Sequence, residues 1–533
     1  MKMRSGLLSM IVMALSSLVA PGQDYEMRLC KRVEIKPGEF RMVETVERWK
    51  PSETAVIVCD MWDLHHCKNA VDRVGQMAPR MNELLKAARK RGSLIVHAPS
   101  SCMEFYQDHP ARKRAMDAPK AGNVPQGINE WMSWIDEREE KVGYPIDHSD
   151  GGEDDEPAEH AEWAKALTGM GKNPRAPWTR QMGALEIDGE KDAITDDGTQ
   201  NWNLLEERGV KNVILLGVHT NMCVLGRPFG LRQLAKNGKN VVLMRDLTDT
   251  MYNPKMKPQV SHFRGTDLIV EHIEKYVCPT VTSDQILGGA PYRFETDARK
   301  YIVFLIGERE YKTEETLPLF AEKYLSSDFR CTFVFADKKD GNKFPGIEAV
   351  KDADVLFVSV RRRTLPPEDL ALIRRHVAEG KPVIGIRTAS HAFSLRGKPA
   401  PKGYAGWEKW DAEVMGGNYT GHHGNKIQTK VSSLEGAGAF LAGGKPATFI
   451  TSGSLYINTP LQKGAQPLFM GAAEGIERSE PVAWSYLRKD GGRSFYTSLG
   501  YVEDFEEPAF QALLVQGIKW SLAKGKAPAV GSK

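Results

Sequence analysis

Two series of short apolar runs, rich in Val, Ile and Leu, set the strongest limit on how this chain can fold. The first series comprises Thr54–Asp60, Ser93–Pro99, Asn212–Val218 and Asn240–Asp246, and the second comprises Lys300–Gly307, Arg330–Ala336, Asp354–Val360, Pro382–Ile386 and Ser494–Gly500. Strands that are apolar throughout are typical of parallel sheets covered by helices on both faces. The sequence therefore predicts an α/β protein with two three-layer α/β/α domains and mostly parallel sheets.

Segments with helical spacing separate these runs. The predicted helices cover Met77–Arg91, about 198–208, a stretch after Cys223, about 264–276, about 314–325, 367–379 and about 508–523. The chain has 533 residues, more than one domain of the usual size of about 100–200 residues would use. The turn-rich segment Gly288–Pro291 separates the two series. We therefore expect a first domain at 23–287, a linker at 288–298, a second domain at 299–525 and a tail at 526–533.

Residues 100–180 interrupt the first series and are predicted to form an insertion or lid. Their acidic stretch includes Asp147, Asp150, Glu153, Asp154 and Asp155. Carboxylate oxygens suit Ca²⁺, but the spacing lacks the Gly and Glu of an EF-hand loop. A solvated acidic lid is the favoured interpretation, and four tryptophans indicate that the insertion is packed. They are Trp131, Trp134, Trp163 and Trp178.

The N-terminus has the pattern of a secretory signal. Lys2 and Arg4 precede the apolar run Leu7–Val19, which is shorter than a membrane span, and Ala20–Gly22 offers a cleavage site. We therefore expect residues 1–22 to be a signal peptide and the protein to be exported, to the periplasm or outside the cell, with no membrane span after processing. With 72 Lys+Arg against 69 Asp+Glu, the balance excludes a broad nucleic-acid footprint.

Asp60 and Cys223 lie where a parallel sheet binds ligands, beyond the carboxyl ends of strands. Asp60 ends the first run, and Cys223 lies five residues after Val218 at the predicted start of a helix. A helix N-terminus lowers the pKa of a thiol, so Cys223 is predicted to be an ionised nucleophile. The seven cysteines are an odd number without a CxxC pair, which also points to an unpaired reactive thiol. Lys191 follows the strand-like segment 184–188 and could hold charge beside Asp60.

With these residues in place, the stretch from about 54 to 287 resembles the isochorismatase-like cysteine hydrolases, which include nicotinamidases. The matching segments are VIVCDMWD, Lys191 ahead of DGT, LLEERGVKNVILLGVHTNMCV and VVLMRDLTD. The resemblance implies an Asp–Lys–Cys triad that cleaves an amide-type bond through a thioester. Asp60 would be the general base, Lys191 its charged partner and Cys223 the nucleophile. It also implies a cis peptide at Val218–His219, with the amides of His219 and Cys223 forming an oxyanion hole.

The sequence departs from nicotinamidases at the metal site. Their Asp-x-His-Pro element has no counterpart after the second run, which continues as HAPSSC. No cofactor is therefore expected, and a divalent metal, though open, is not supported by the spacing. Trp62, Asp63, His65 and Thr220 are predicted to bind the substrate. The pair His65–His66 leaves metal ligation as an alternative.

Residues 299–525 resemble the trehalose-utilisation (ThuA-like) group, which has a class I glutamine-amidotransferase-like fold. The matching segments are IGEREYKTEETLP, GKPVIGIRTASHAF, WDAEVMGGNYTGHHG and FYTSLGYVEDFEEPAF. Arg387 stands where an amidotransferase has its cysteine, and a guanidinium is not a nucleophile. Arg387 could instead bind a carboxylate or sugar hydroxyls. The residues predicted to line a pocket with it are Glu310, Tyr311, His391, His422 and His423, with Tyr501 beside them.

The sequence thus favours an exported cysteine hydrolase that cleaves a small-molecule amide-type C–N bond. The second domain would bind a carbohydrate ligand or build a homo-oligomer. Two alternatives stay open. The chain could be a non-catalytic binding protein with two degenerate enzyme folds, or a vinyl-ether hydrolase of the isochorismatase type that needs no cysteine nucleophile.

Overall fold

The computed structural model describes residues 22–435, 437 and 447–523. The predicted signal peptide, apart from Gly22, and the predicted tail at 526–533 lie outside the described residues. Within the described residues, no helix combines the length and apolar character needed to cross a bilayer.

The first half forms an eight-stranded sheet. Its strands are β1 (Tyr25–Lys36), β2 (Glu39–Trp49), β3 (Thr54–Cys59), β4 (Leu94–Ala98), β5 (Ala193–Ile194), β6 (Asn212–Val218), β7 (Asn240–Asp249) and β8 (Thr280–Val281). The helices are α1 (Lys68–Arg91), α2 (Pro110–Asp117), α3 (Glu137–Val142), α4 (Pro157–Gly169), α5 (Gly198–Glu207), α6 (Cys223–Gly226), α7 (Leu231–Lys236), α8 (His262–Tyr276) and α9 (Asp284–Leu287), with short 3₁₀ turns at Pro51–Glu53 and Met103–Tyr106. The strand order is β2-β1-β8-β7-β6-β3-β4-β5. Strands β3 to β8 are parallel, and the hairpin β1–β2 joins antiparallel to β8.

Helices cover both faces of this sheet. Strand β3 is buried along its whole length, and its side chains alternate between two cores. Val56 packs with Met81 and Leu84 of α1 on one face, whereas Ile57 belongs to the core on the other face, to which α5 and α8 contribute. This arrangement is the three-layer α/β/α sandwich.

The second half forms a nine-stranded mixed sheet. Its strands, with a separate two-stranded ribbon formed by β13 and β16, are β9 (Lys300–Gly307), β10 (Phe329–Phe335), β11 (Val355–Val360), β12 (Val383–Ile386), β13 (Gly421–His423), β14 (Thr429–Ser433), β15 (Thr448–Thr451), β16 (Leu455–Ile457), β17 (Ala465–Ala473), β18 (Glu480–Leu487) and β19 (Arg493–Thr497). The helices are α10 (Thr313–Tyr324), α11 (Pro367–Ala378) and α12 (Pro508–Leu522), with 3₁₀ turns at Ile347–Lys351, Arg387–His391 and Val502–Glu506 and a π-helical turn at Asp411–Met415.

The second sheet is parallel on one side and antiparallel on the other. Its order is β10-β9-β11-β12-β19-β18-β17-β14-β15. Strands β10, β9, β11, β12 and β19 run parallel, and the remaining four continue the sheet antiparallel. The predicted α/β class is confirmed for both halves.

The acidic stretch of the insertion is anchored to the first sheet, so the prediction of a solvated lid is wrong for its central residues. Arg73 of α1 donates hydrogen bonds from both Nη atoms to Asp154, at 2.8 and 3.0 Å, and from Nε to Asp249 at 2.7 Å. Asp155 accepts the first amides of α1, from Lys68 and Asn69, at 2.7 and 2.8 Å. These carboxylates are buried and already paired.

A second buried ion pair fixes the middle of the insertion. Glu139 of α3 accepts hydrogen bonds from Arg232 Nε and Nη2 and from His272 Nε2, and all three side chains are buried. The amide of Ile135 donates to the same carboxylate at 2.7 Å. Arg232 lies on α7 and His272 on α8, so Glu139 ties the insertion to two helices of the first half.

Candidate active site

The carboxyl ends of β3 and β6 bring Asp60 and Cys223 together. Asp60 directly follows β3, and Cys223 begins α6 after the loop that leaves β6. Gly217 makes this approach possible: its φ is +110°, and a Cβ there would lie 2.1 Å from the Cys59 carbonyl oxygen. Any larger residue at 217 would push the two strand ends apart.

Asp60 is fully buried and held on both carboxylate oxygens. Its Oδ1 accepts the Ser100 amide at 2.7 Å, and its Oδ2 accepts Arg227 Nε at 3.1 Å. The Cys223 thiol lies near the same carboxylate and lowers its pKa. Burial raises the pKa of the Asp60 carboxyl, and the Arg227 guanidinium is the strongest influence in the opposite direction. Asp60 is thus a carboxylate whose charge depends on Arg227.

Cys223 is 8% exposed, and its surroundings favour the neutral thiol. Burial raises its pKa well above the ordinary value, the charge of Asp60 raises it further, and Arg227 opposes both. The prediction that a helix N-terminus holds the sulfur ionised is wrong, because α6 has only four residues and a carboxylate faces the thiol. The geometry suits a base that removes the thiol proton during attack.

Lys191 does not join Asp60 and Cys223, contrary to the predicted triad. Its side chain is 65% exposed, and its Nζ lies 3.8 Å from Asp188. The preceding segment 184–188 is not a strand, and the strand beside β4 is Ala193–Ile194 instead. Lys191 therefore lies in a surface turn, and Arg227 provides the positive charge beside Asp60.

The sequence analysis missed Arg227, although a signal was present. Arg227 comes four residues after Cys223, the spacing that places two side chains on the same face of a helix. Its guanidinium lies 5.7 Å from the centre of the Trp131 ring. That ring packs so closely on Gly226 that a Cβ there would lie 2.4 Å from it. The insertion thus covers the Arg227 side of the site.

The Val218–His219 peptide is cis, which confirms that prediction. The His219 ring is buried, burial lowers its pKa to about 3, and it is therefore neutral near pH 7. Within the described residues its Nε2 has no hydrogen-bond partner. The oxyanion hole formed by the amides of His219 and Cys223 stays a prediction.

Two of the predicted substrate-binding residues belong to a stacked aromatic wall. Trp62 and Trp178 stack with centroids 4.7 Å apart, and His65 stacks on both at 6.0 and 5.7 Å. The His65 ring lies 4.9 Å from that of His219. Burial lowers the pKa of His65 well below its ordinary value. The wall is therefore uncharged near pH 7.

The other two predicted substrate-binding residues, Asp63 and Thr220, have structural partners. Asp63 accepts the amides of Thr179 and Arg180 and so holds the end of the insertion. Thr220 is fully buried, with its hydroxyl 2.7 Å from that of Thr248. Their contacts give no support to a substrate-binding role.

One cluster in the described part of the chain has the donor types of a metal site. It comprises Cys67, Asp154 and Asp155. Arg73 and the amides of Lys68 and Asn69 already bind these carboxylates, and the Cys67 thiol donates to both. A cluster paired with a guanidinium does not fit a cation.

The second half carries its own polar site at the carboxyl ends of its parallel strands. Arg387 follows β12 with φ +49° and is 2% exposed. Its guanidinium carbon lies 4.3 Å from the centre of the Tyr311 ring, 5.0 Å from that of Tyr456 and 5.9 Å from that of Tyr501. It donates to the Ser498 carbonyl at 2.6 Å.

Tyr311, Tyr456 and Tyr501 form a tyrosine cage around Arg387. The other predicted pocket residues surround this cage. His391 stacks on Tyr419 at 4.6 Å, and the His422 ring lies 6.3 Å from that of Tyr456. Glu310 forms an ion pair with Arg361 at the rim, at 2.9 Å. His423 pairs with Leu455 in the β13–β16 ribbon. Tyr456, at the centre of these contacts, was not predicted.

Comparison with known proteins gives one family match, in the second half. Residues 301–521 match the family model "ThuA: Trehalose utilisation". A ThuA-like protein from Bacteroides uniformis is similar in structure, with 16% identity, a TM-score of 0.34, and coverage of 45% of this chain and 97% of that one.

Two solved hydrolase-type structures are also similar. A cysteine hydrolase from Pseudomonas syringae pv. phaseolicola has 17% identity and a TM-score of 0.27, covering 44% of this chain and 92% of its own. An isochorismatase family protein from Burkholderia thailandensis has 16% identity and a TM-score of 0.20, covering 37% and 79%. None of the curated proteins compared with the chain matches it.

Proposed function

We propose that the first half is a cysteine hydrolase that cleaves an amide-type C–N bond of a small molecule. Cys223 is the nucleophile, Asp60 the general base, and Arg227 takes the part of the missing lysine. The observation that supports this assignment is a buried Asp60 carboxylate beside the Cys223 thiol, with Arg227 Nε 3.1 Å from its Oδ2.

The proposed acylation uses Asp60 as a proton carrier. Cys223 Sγ attacks the amide carbon while Asp60 takes the thiol proton, and the carbonyl electrons move to oxygen. The amides of His219 and Cys223 donate to that oxyanion. As the intermediate collapses, the C–N bond breaks and the leaving amine takes the proton from Asp60, leaving a thioester on Cys223.

The proposed deacylation reverses the roles. Asp60 takes a proton from a water molecule while the oxygen of that water attacks the thioester carbon. The C–S bond then breaks, the sulfur recovers the proton, and the acid product leaves. Arg227 is protonated throughout, because a guanidinium does not lose its proton in a protein. It keeps Asp60 able to act as a base despite burial.

The first prediction tests the nucleophile and the base. A panel of small amides and ureas is screened with wild type, Cys223→Ala and Asp60→Asn. Both variants should lose at least about 10³-fold in kcat/KM, because removing either member of a catalytic unit removes most of the rate enhancement of the whole unit. Wild type incubated with substrate and quenched in acid should carry an acyl mass on the peptide containing Cys223.

A matched control is Cys102→Ala, which removes another buried thiol of the same half. It should keep wild-type turnover, and circular dichroism and thermal melts should show all variants folded. Full turnover by Cys223→Ala would overturn the proposal. If that variant still cleaved vinyl ethers, the isochorismatase-type alternative would take its place.

A further inference from the structure

Four arginines surround the tyrosine cage of the second half. Arg361 and Arg362 directly follow β11, Arg387 directly follows β12, and Arg396 lies in the loop beyond it. The carboxyl ends of parallel strands meet at one edge of a sheet, which is where α/β proteins bind ligands. Four fixed positive charges therefore lie at the ligand edge of this sheet.

These charges are poorly matched by carboxylates. Glu310 pairs with Arg361, and among the described residues no ion pair joins a carboxylate to Arg362, Arg387 or Arg396. Glu308 follows β9 at the same edge of the sheet and binds the amides of Glu310, Tyr311 and Thr313.

The other two nearby carboxylates are likewise committed. Asp504 accepts the amides of Gly500 and Tyr501, at 2.8 and 2.9 Å. Asp411 accepts the Tyr419 amide at 2.6 Å, and burial raises its pKa to about 7. Among the described residues, none of these three carboxylates forms an ion pair with an arginine of the site.

Arg387 is the strongest sign of an unmet charge. It is almost fully buried, its Nη atoms bind a carbonyl and the Ser454 hydroxyl, and its Nε has no partner within the described residues. Burying a cation without a counter-ion is costly. A bound anion would offset that cost.

His391 lies within the site, where the positive charges of the same arginines act on its ring. Its carbonyl accepts the Arg362 amide at 3.0 Å, and its ring stacks on Tyr419, whose ring centre lies 5.5 Å from the guanidinium carbon of Arg396. Burial lowers the pKa of His391 to about 3, and Arg362, Arg361 and Arg396 contribute in that order. The neutral ring leaves the arginines to bind an anion.

We propose that the second half binds a carbohydrate that carries a carboxylate or phosphate group. The oxyanion lies among Arg361, Arg387 and Arg396, since guanidinium groups bind both groups through paired hydrogen bonds. The sugar ring packs on the half-buried tyrosines Tyr311, Tyr419 and Tyr501. This site is independent of the proposed hydrolase site in the first half.

The test measures binding by calorimetry on the full chain carrying Cys223→Ala, which removes the proposed hydrolysis. The probes are D-glucuronate, glucose 6-phosphate, glucose and inorganic phosphate. One of the two charged sugars should bind at least 10-fold tighter than glucose and phosphate, and its affinity should fall with added salt. Glucuronate and glucose 6-phosphate distinguish a carboxylate from a phosphate ligand.

Three variants are expected to change the affinity in different ways. Arg396→Gln should weaken binding about 10-fold by removing a charged hydrogen bond. Glu310→Gln should tighten it about 3-fold, because Arg361 loses its competing carboxylate. Arg375→Gln, an exposed arginine on α11, should change nothing. Binding of glucose as tight as that of the charged sugars, equal affinity for phosphate alone, no binding by any probe, or no effect of Arg396→Gln would overturn the proposal.

Discussion

At the scale of single residues, Arg227 is the feature that most changes the expected chemistry. Its Nε lies 3.1 Å from Asp60, and it opposes the rise in the pKa of Asp60 caused by burial. A lysine in that position would be a compact point charge, whereas a guanidinium is planar and keeps its proton. Asp60 must be anionic to act as a base, so activity is lost as the pH falls through its pKa.

The second prediction follows from this loss of activity at low pH. Arg227→Gln removes the charge that lowers the pKa of Asp60, so this pKa should rise. The acid limb of the kcat/KM profile should then move to higher pH. Arg227→Lys should move it less. The measurement is a pH–rate profile from pH 4 to 9 with the best substrate of the panel.

Lys191→Gln is the matched control for this series. Because Lys191 faces solvent and contacts Asp188, its removal should leave the profile unchanged. A loss with Lys191→Gln equal to that with Arg227→Gln would instead support the Asp–Lys–Cys triad.

The sequence identified Asp60 and Cys223 because each follows an apolar strand that a parallel sheet buries. It could not place Lys191, because the strand beside β4 has only two residues, Ala193 and Ile194, and gives no readable pattern. It missed Arg227 because an arginine near a helix end is usually a surface residue.

At the scale of elements, the longer parallel strands were predictable and the antiparallel ones were not. Strands such as β3 and β6 are buried throughout, whereas β1, β2 and β17 mix buried and exposed positions. The acidic insertion was misjudged for a related reason. Arg73 is 81 residues from Asp154 along the chain, and no local pattern shows such a pair.

The third prediction concerns the ion pair that holds α3. Burial raises the pKa of Glu139, but hydrogen bonds from His272 and Arg232 more than offset this and lower it to about 2. A carboxyl with a lowered pKa stabilises the fold above its unfolded pKa of about 4.3, and this contribution is lost as the pH falls toward 2. The contribution at pH 7 is about 3 kcal/mol.

Glu139→Gln should therefore lower the free energy of unfolding at pH 7, and its difference from wild type should shrink between pH 5 and pH 2. Urea unfolding at several pH values measures this. Glu137→Gln, an exposed residue of the same helix, should show no such trend. A difference that is constant with pH would contradict the assignment.

At the scale of the whole molecule, charged contacts join the two halves. Arg32 of β1 binds Glu322 of α10 and also donates to Glu274 at 2.9 Å. Arg299 binds Asp267 at 2.6 Å. Tyr292, within the predicted linker, donates its amide to Asp246 and accepts Arg330 through its carbonyl. Residues near 292 therefore contact both halves.

The fourth prediction is that Arg32→Ala uncouples the halves. It leaves Glu271, Glu274 and Glu322 without their shared partner, and because these side chains are not all fully buried, the cost should be at most that of breaking a fully buried pair, about 3–5 kcal/mol. Calorimetry should show a lower and broader transition, or two transitions. Arg48→Ala, which breaks an exposed pair with Glu26, should cost at most about 1 kcal/mol. A single transition at the wild-type temperature would contradict this view.

The fluorescence of Trp131 offers a probe of ligand binding in the first half. The indole is 49% exposed, rests on Gly226 and faces the guanidinium of Arg227, which in turn binds Asp60. Any molecule that settles beside Cys223 changes the polarity around this ring. Its emission should shift on binding, and the Trp131→Phe difference spectrum isolates that shift from the other ten tryptophans. Occupancy can thus be followed before any product is known.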